Sequence, residues 1–220
     1  MNYFTHGMNY LDRPYFLAGT AVPDWLSVAD RKTRMRSRRV SPFADGSKSD
    51  HAELAAGVLQ HLDDDGWFHQ TRAFHDTTTE LAVLFREVLG RDDGFRPGFL
   101  GHICMEIILD GILIERDPSV LDRYYEVLET VDAAKVQCYV NLMARDESQR
   151  LADFVDIFRR EKFLYDYLDS NRLLFRLNQV MRRVKLPLLP PEIEDVLISG
   201  WSIVKGRSES LLSCENSSDA

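Results

Sequence analysis

The chain has 220 residues, of which 45% are hydrophobic and 28% charged, and this composition predicts a soluble globular protein with a sizeable core. The formal net charge of −8 excludes nucleic-acid binding through the overall charge of the molecule. Cys104, Cys138 and Cys214 are widely spaced, which excludes a cysteine zinc pair and a disulfide framework. The first residues lack the pattern of a signal peptide. We therefore expect a cytoplasmic protein.

The first thirty residues carry two candidate site residues. His6 lies in a short aromatic segment, and Asp24 directly follows Pro23 at the end of an apolar stretch. Because proline interrupts helices, we expect a helix to stop before Asp24, whose carboxylate would then point into a site. The alternative interpretation makes Asp24 the N-cap of a helix that starts at Trp25.

Residues 31–39 form a basic segment, with six basic side chains in nine positions. These side chains are Arg31, Lys32, Arg34, Arg36, Arg38 and Arg39. In an acidic protein such a segment is a local positive patch, which favours binding of phosphate groups or acidic partners. The alternative is a solvated surface loop without a partner.

Residues 57–69 hold a pattern typical of metal ligands. On a helix His61, Asp65 and His69 are four residues apart and share one face. Two imidazoles and one carboxylate on one face are suited to a divalent metal. Gly66 and its three preceding aspartates disfavour a helix, so we interpret the pattern as a site. The alternative is helix-end histidines and solvated aspartates.

Residues 98–115 predict the most apolar helix of the chain. His102, Glu106 and Asp110 recur within it every four residues, and buried charges are costly unless they are paired or bind a metal. The alternative is a buried His–Glu pair with Asp110 near the surface. The apolar run Ile103–Ile114 contains two carboxylates and is too short to cross a bilayer, so we expect no membrane span.

The remaining patterns are helical, and alternating strand patterns are essentially absent. We therefore predict an all-α, single-domain helical bundle of about eight to nine helices over residues 1–210, with a disordered tail at 211–220. A stiff linker is expected at 185–191. The better-defined predicted helices cover about 49–62, 77–89, 98–115, 118–130, 133–144, 148–168, 171–184 and 191–210.

Four motifs occur in an order that resembles a known family. They are Met1-Asn2-Tyr3 with His6; Gly19 followed by Asp24-Trp25; Gly57, His61, Asp65, Phe68 and His69; and Met105-Glu106-Ile107 on a later helix. Over residues 1–115 this pattern resembles the acyl carrier protein phosphodiesterase family, which looks like a divergent branch of the HD-type phosphohydrolases. The chain has His69 and Glu106 where the family has aspartates, and Ile107 where it has a histidine. Leu62 and Asp63 replace its arginines.

The resemblance implies an HD-phosphohydrolase-like fold and a metal-dependent phosphodiesterase. Its substrate would be a phosphate ester, of the phosphopantetheine type or another small phosphodiester, hydrolysed by a metal-activated water. The expected metal ligands are His6, His61, Asp65, His69 and His102. Asp24 and Glu106 would be further ligands or would accept the proton of the water. Imidazole and carboxylate ligands favour manganese, iron or zinc over magnesium.

Arg31, Lys32, Arg34, Arg36 and Arg38 would hold the substrate phosphate or dock an acidic carrier protein. We expect this segment at the mouth of the metal cleft.

Two other functions remain open. The first is a catalytically inactive relative that binds an acidic or phosphorylated partner and needs no stoichiometric metal. The second is a zinc phospholipase C-like or nuclease-like hydrolase with two or three zinc ions per chain. The sequence does not define an oligomeric state, and no nucleic-acid partner is expected.

Overall fold

The computed structural model describes residues 1–90 and 93–213, and throughout these residues the chain is helical, without strands. The all-α prediction is therefore confirmed. The α-helices are α1 Tyr3–Gly7, α2 Pro14–Ala29, α3 Ser37–Val40, α4 Asp50–Phe68, α5 Arg72–Leu89, α6 Pro97–Arg116, α7 Pro118–Glu129, α8 Ala133–Met143, α9 Leu151–Glu161, α10 Ser170–Arg183 and α11 Ile193–Leu212. Short 3-10 helices cover Ser41–Phe43, Asp93–Phe95 and Phe163–Leu168.

The helix count exceeds the eight or nine expected because α1 and α3 have five and four residues. Elements this short show no hydrophobic period in the sequence. Most of the predicted tail lies outside the described residues, while Leu211 and Leu212 belong to α11.

The contacts divide the chain into two compact units, and the expected single domain over residues 1–210 stays a prediction. Unit 1 consists of residues 1–66 and 117–163. Unit 2 consists of residues 67–116 and the chain from residue 164 onward. Each unit is therefore assembled from two separate stretches of sequence.

The core of unit 1 is built on a close crossing of α2 and α4. A Cβ atom on Gly19 would lie 2.2 Å from the Leu54 carbonyl oxygen, and one on Gly57 would lie 2.1 Å from the Phe16 carbonyl oxygen. Only two glycines allow the backbones to approach this closely. Around the crossing, Trp25 of α2 packs on Phe158 of α9, with ring centroids 5.5 Å apart.

Helix α2 continues through Pro23, so the expected helix boundary at this residue is wrong, and Asp24 is not an N-cap. A proline inside a helix costs about 3 kcal/mol because one hydrogen bond is lost and the ring meets the preceding turn. Leu17 and Trp25 are fully buried in α2, and burial of each such side chain contributes about 1.5–3 kcal/mol. Packing therefore outweighs the local preference.

Helix α4 extends six residues beyond the predicted end at Leu62. The Ser49 hydroxyl caps α4 by accepting a hydrogen bond from the Ala52 amide at 3.2 Å. Asp63 and Gly66, which disfavour a helix, are exposed. Packing of the buried face of α4 therefore outweighs the low helix propensity of these exposed residues.

Unit 2 is organised around α5, α6 and α11, and α10 packs on α11. The Thr71 hydroxyl caps α5 by accepting from the Phe74 amide, and the chain leaves α5 at Gly90 with φ 75°. Helix α6 is the core helix, with Leu100, Ile108 and Ile112 fully buried.

Helix α6 is longer than the apolar run Ile103–Ile114 suggested. Its 20 residues, with a mean hydropathy of 1.6 over the most apolar window, are enough by length and composition to cross a membrane. Since 72% of that window is buried inside the protein, α6 equally meets the description of a core helix.

Two other predicted elements differ in detail. The helix expected over 148–168 ends at Glu161, because Lys162 adopts a left-handed conformation with φ 45°. The expected linker at 185–191 is tied to α10, since the Leu189 amide donates to Asn178 Oδ1 at 2.7 Å and Asn178 Nδ2 donates to the Leu189 carbonyl at 3.2 Å.

Candidate functional site

The predicted metal ligands, together with Glu106, form two groups of three side chains. We call His6, His61 and Asp65 of unit 1 the buried group, and His69, His102 and Glu106 of unit 2 the half-exposed group. Within each group the candidate ligand atoms lie within 4.8 Å of one another. The expectation that His61, Asp65 and His102 meet at one point joins residues of both units and stays a prediction. His69 follows the last residue of α4, where the helical stripe ends.

The buried group depends on the crossing of α2 and α4. This crossing brings His61 Nδ1 to 2.7 Å from the Thr20 carbonyl oxygen. A carbonyl only accepts hydrogen bonds, so Nδ1 must carry the proton and donate. In the neutral ring Nε2 is then unprotonated, and it faces Asp65 Oδ2 at 3.4 Å. Metal-binding histidines are commonly oriented by such a carbonyl.

His6 of α1 completes the buried group. Its ring stacks on that of His61, with centroids 3.9 Å apart. His6 Nδ1 lies 3.1 Å from Asp64 Oδ2, and Nε2 lies 3.3 Å from Asp65 Oδ1. Among the described residues the buried Nε2 atom has no partner in hydrogen-bond geometry. A nitrogen acceptor buried in this way is available to a metal ion.

Charges around Asp65 keep it ionised. Burial alone would raise the pKa of Asp65, but the neighbouring imidazoles of His6 and His61 hold it well below its usual range. The Met1 amino group, 2.9 Å from Asp65 Oδ1, acts in the same direction. Burial lowers the pKa of His6, but the neighbouring carboxylates of Asp64 and Asp65 together outweigh burial and raise it.

The spacing of the buried group fits a metal ion. Ligands about 2.0–2.1 Å from a tetrahedral ion are about 3.3 Å apart. The separations of 3.3 Å between His6 Nε2 and Asp65 Oδ1 and of 3.4 Å between His61 Nε2 and Asp65 Oδ2 are close to this value, each to a different carboxylate oxygen. Three protein ligands are also the usual number in catalytic zinc sites, which keep one position open.

The half-exposed group is built mainly on α6. Glu106 Oε1 lies 3.3 Å from His102 Nε2, one turn earlier on the helix, and 3.0 Å from His69 Nε2. The Phe74 ring packs against both imidazoles, at 4.8 and 5.0 Å between centroids. Burial would raise the pKa of Glu106, but hydrogen bonds with His102 and His69 contribute to lowering it.

Two neighbours on α6 do not join the half-exposed group. Cys104 is buried, which raises the pKa of its thiol to about 12 and keeps this potential ligand protonated. Asp110 is fully buried, so the alternative interpretation that placed it near the surface is wrong.

The two residues predicted to be catalytic differ in their positions. Asp24 is half-buried in α2, one turn after Thr20, and belongs to neither group. The Thr20 carbonyl, like every helical carbonyl, points along the helix towards the residue four positions later, which is Asp24. Glu106 contacts two imidazoles and therefore has the position of a ligand.

The basic segment surrounds a cavity of about 450 Å³. We call this cavity the basic pocket; it is lined by Lys32, Arg34, Arg36, Arg38, Arg39, Arg145 and Asp146. Arg31, which was expected to contribute, is not among the lining residues. Arg145 was not predicted, because it is more than 100 residues from the basic segment and carries no local pattern.

The basic segment contacts the C-terminal end of α8 through Arg39. Arg39 donates to the carbonyls of Met143 and Ala144 at 3.1 and 2.8 Å. Helix α8 in turn contacts the first turn of α4, where Lys135 pairs with Asp50 at 3.3 Å. His61 follows Asp50 by eleven positions along α4, which is about 16 Å of helix. The expected position at the mouth of a metal cleft stays a prediction.

No protein-family model matches the chain, and no curated protein or solved structure matches it significantly. The resemblance to acyl carrier protein phosphodiesterases therefore stays a prediction from the four motifs.

Proposed function

We propose that the protein is a metal-dependent hydrolase of phosphoric ester bonds, with the buried group as its metal centre. The observation that carries the proposal is the hydrogen bond between His61 Nδ1 and the Thr20 carbonyl. It fixes the tautomer that presents Nε2 as a ligand, beside a second buried imidazole and an ionised carboxylate.

Each residue of the buried group has a distinct role in this proposal. His6, His61 and Asp65 hold a divalent ion, for which manganese, iron or zinc suits the mixed ligands better than magnesium. Such an ion lowers the pKa of water and neutralises phosphate oxygens. Asp64 and the Thr20 carbonyl orient the two imidazoles. Asp24, on the turn of α2 that follows Thr20, accepts a proton.

Two features support a phosphate ester as the substrate. The four sequence motifs resemble a phosphodiesterase family, which suggests a phosphopantetheine-type or another small phosphodiester. Unit 1 also contains the basic pocket, which suits an anionic substrate or an acidic carrier. An HD-like arrangement of the helices belongs to the same proposal.

The half-exposed group would bind a second divalent ion. Its ligand set repeats that of the buried group, with two imidazoles and one carboxylate. Here Glu106 is a ligand rather than a proton acceptor, because its Oε1 atom lies within 3.3 Å of both imidazole Nε2 atoms.

The proposal is tested by metal analysis of the purified protein, followed by a screen of phosphate esters with added manganese, iron or zinc. We expect at least one ion per chain and hydrolysis of a phosphodiester. His61→Ala should lose the ion of the buried group and the hydrolysis. His75→Ala is the matched control, because His75 is exposed and belongs to neither group.

Other outcomes would favour the two other functions. A parent protein without stoichiometric metal would contradict catalysis and favour a binding function. Activity on lipid or nucleic-acid diesters, with two or three zinc ions per chain, would favour a phospholipase C-like or nuclease-like enzyme; two ions alone would not, because the proposal itself assigns one ion to each group.

A further inference from the structure

Buried and exposed residues alternate over residues 32–36, beside the basic pocket. Thr33 and Met35 are buried, with 2% and 8% of their surface exposed. The residues that alternate with them, Lys32, Arg34 and Arg36, are exposed and line the cavity.

The opposite wall of the basic pocket is also fixed. Asn141 and Ser148 close the loop that follows α8, because Asn141 Nδ2 donates to the Ser148 carbonyl at 3.0 Å and the Ser148 amide donates to Asn141 Oδ1 at 2.9 Å. Arg39 fixes the start of this loop through the Met143 and Ala144 carbonyls. Arg145, in the same loop, is thus held against the basic segment.

The positive charge of the basic pocket is largely uncompensated. Six basic side chains line it against one carboxylate, that of Asp146. Within residues 1–90 and 93–213, five of these basic side chains take part in no hydrogen bond or ion pair; they are Lys32, Arg34, Arg36, Arg38 and Arg145. Converging cations without counter-charges repel one another, so an anion between them would stabilise the arrangement.

We propose that the basic pocket binds a small soluble anion that carries two or more phosphoryl groups. Guanidinium groups pair with phosphate oxygens through two parallel hydrogen bonds, and several of them converge here. A volume of about 450 Å³ lies in the range of small-molecule sites and exceeds the needs of one phosphate.

The charge of the whole chain favours a compact anion. The net charge is −8, so an extended polyanion would leave the pocket and meet a predominantly acidic protein. The field of the pocket itself fades over about 8 Å at physiological salt. A short oligophosphate keeps all its charge within that distance. Binding requires no metal ion, and the inference therefore does not rest on the proposed hydrolase activity.

The test is calorimetric titration of metal-free full-length protein with inorganic triphosphate, diphosphate and orthophosphate. We expect one triphosphate per chain, with affinity falling from triphosphate to orthophosphate and with rising salt. The variant carrying Arg34→Gln, Arg36→Gln and Arg38→Gln should bind triphosphate at least tenfold more weakly. Asp146→Asn should bind it more tightly.

A second triple variant separates the pocket from overall charge. Arg86→Gln, Arg123→Gln and Arg182→Gln remove the same charge from exposed positions outside the pocket and should leave the affinity unchanged. His61→Ala should also bind triphosphate as the parent does, whatever its effect on hydrolysis.

Several results would overturn the inference. Equal losses in the two triple variants would show only an effect of net charge. Equal affinity for orthophosphate and triphosphate would exclude an oligophosphate site. Tighter binding of an oligonucleotide or of anionic lipid vesicles than of triphosphate would identify a different occupant.

Discussion

The buried group and the half-exposed group contain the same ligand types, but their surroundings differ. His6 and His61 expose 0% and 4% of their side chains, whereas His69 and His102 expose 33% and 42%. In the buried group both Nδ1 atoms contact a fixed oxygen, from Asp64 and from Thr20. In the half-exposed group, within the described part of the chain, each imidazole has a polar contact only at Nε2, with Glu106.

This difference teaches that the ligand types alone do not define a metal site. A ring held at both nitrogens has one tautomer and one orientation, whereas a ring held at one nitrogen turns about it more easily. We therefore expect tight, folding-linked metal binding in the buried group and weaker, exchangeable binding in the half-exposed group.

The largest expected effect comes from removing one ligand of each group. His61→Ala should abolish metal binding by the buried group and the phosphoesterase activity. Because His61 is buried and its loss leaves the Thr20 carbonyl without this donor, we expect a stability loss of about 2 kcal/mol. Metal per chain and chemical denaturation measure the two effects.

His102→Ala should remove only the weaker ion and, with a half-exposed side chain, should cost little stability. An His61→Ala protein with the metal content and activity of the parent would contradict the assignment of the buried group.

The next effect concerns the crossing that positions His61. Gly57→Ala would place a Cβ atom 2.1 Å from the Phe16 carbonyl oxygen, so α2 and α4 must separate. We expect a loss of about 3 kcal/mol, at the upper end for an overpacked site, together with weaker metal binding. Denaturant unfolding and metal titration provide the measurements.

Gly66→Ala is the matched control on the same helix, because a Cβ atom there meets nothing within 4 Å. It should stabilise the protein by about 0.5–1 kcal/mol. If both variants changed stability equally, the close crossing would not be the cause.

A smaller effect is expected from the carboxylate that orients His6. Asp64→Asn weakens the contact with His6 Nδ1 and should reduce the metal affinity of the buried group about 10–100-fold, as for other residues that orient ligands. Asp63→Asn carries the same charge change at an exposed position and should have little effect. Competition with a chelating dye measures the affinities, and equal losses would reduce the role of Asp64 to its charge.

The smallest effect is a dependence on pH. The pKa of His6 lies above 6.5 in the metal-free protein, and a protonated imidazole cannot bind a metal. Metal affinity of the buried group should therefore fall as the pH is lowered through this pKa, by about tenfold per pH unit for one competing proton. The stability of the metal-free protein should instead increase as the pH is lowered, because His6 is then protonated.

The stabilisation that protonated His6 gives the metal-free protein is complete below pH 6.5 and is lost as the pH rises through the raised pKa. Denaturation curves at several pH values, with metal and with chelator, should therefore diverge as the pH increases. Parallel curves would exclude His6 as a ligand.

The all-α class and most of the long helices were predictable, because hydrophobic periodicity is a local property of the sequence. The caps at Ser49 and Asp117 and the end of α5 at Gly90 were predictable for the same reason. All six side chains of the buried and half-exposed groups were also among the candidate site residues predicted from the sequence.

The division of those candidates into two groups was not predictable. The sequence places His61, Asp65 and His69 at equal spacing, and only the tertiary structure shows that α4 stops before His69. The continuation of α2 through Pro23 depends on burial against α9, and Arg145 reaches the basic pocket through folding of distant segments. Such features arise from contacts that local sequence does not encode.

Each unit is assembled from two separate stretches of sequence, and this affects how the protein folds during its synthesis. Unit 1 lacks residues 117–163 when residue 66 leaves the ribosome, and 97 residues separate positions 66 and 163. At about 5–20 residues per second, roughly 5–20 s pass before α7 and α9 are synthesised. During this time the apolar faces of α1, α2 and α4 have no packing partner from these two helices. Tyr124, whose hydroxyl donates to the Tyr3 carbonyl at 3.3 Å, closes a loop of this kind. We therefore expect the nascent chain to depend on chaperones for that interval.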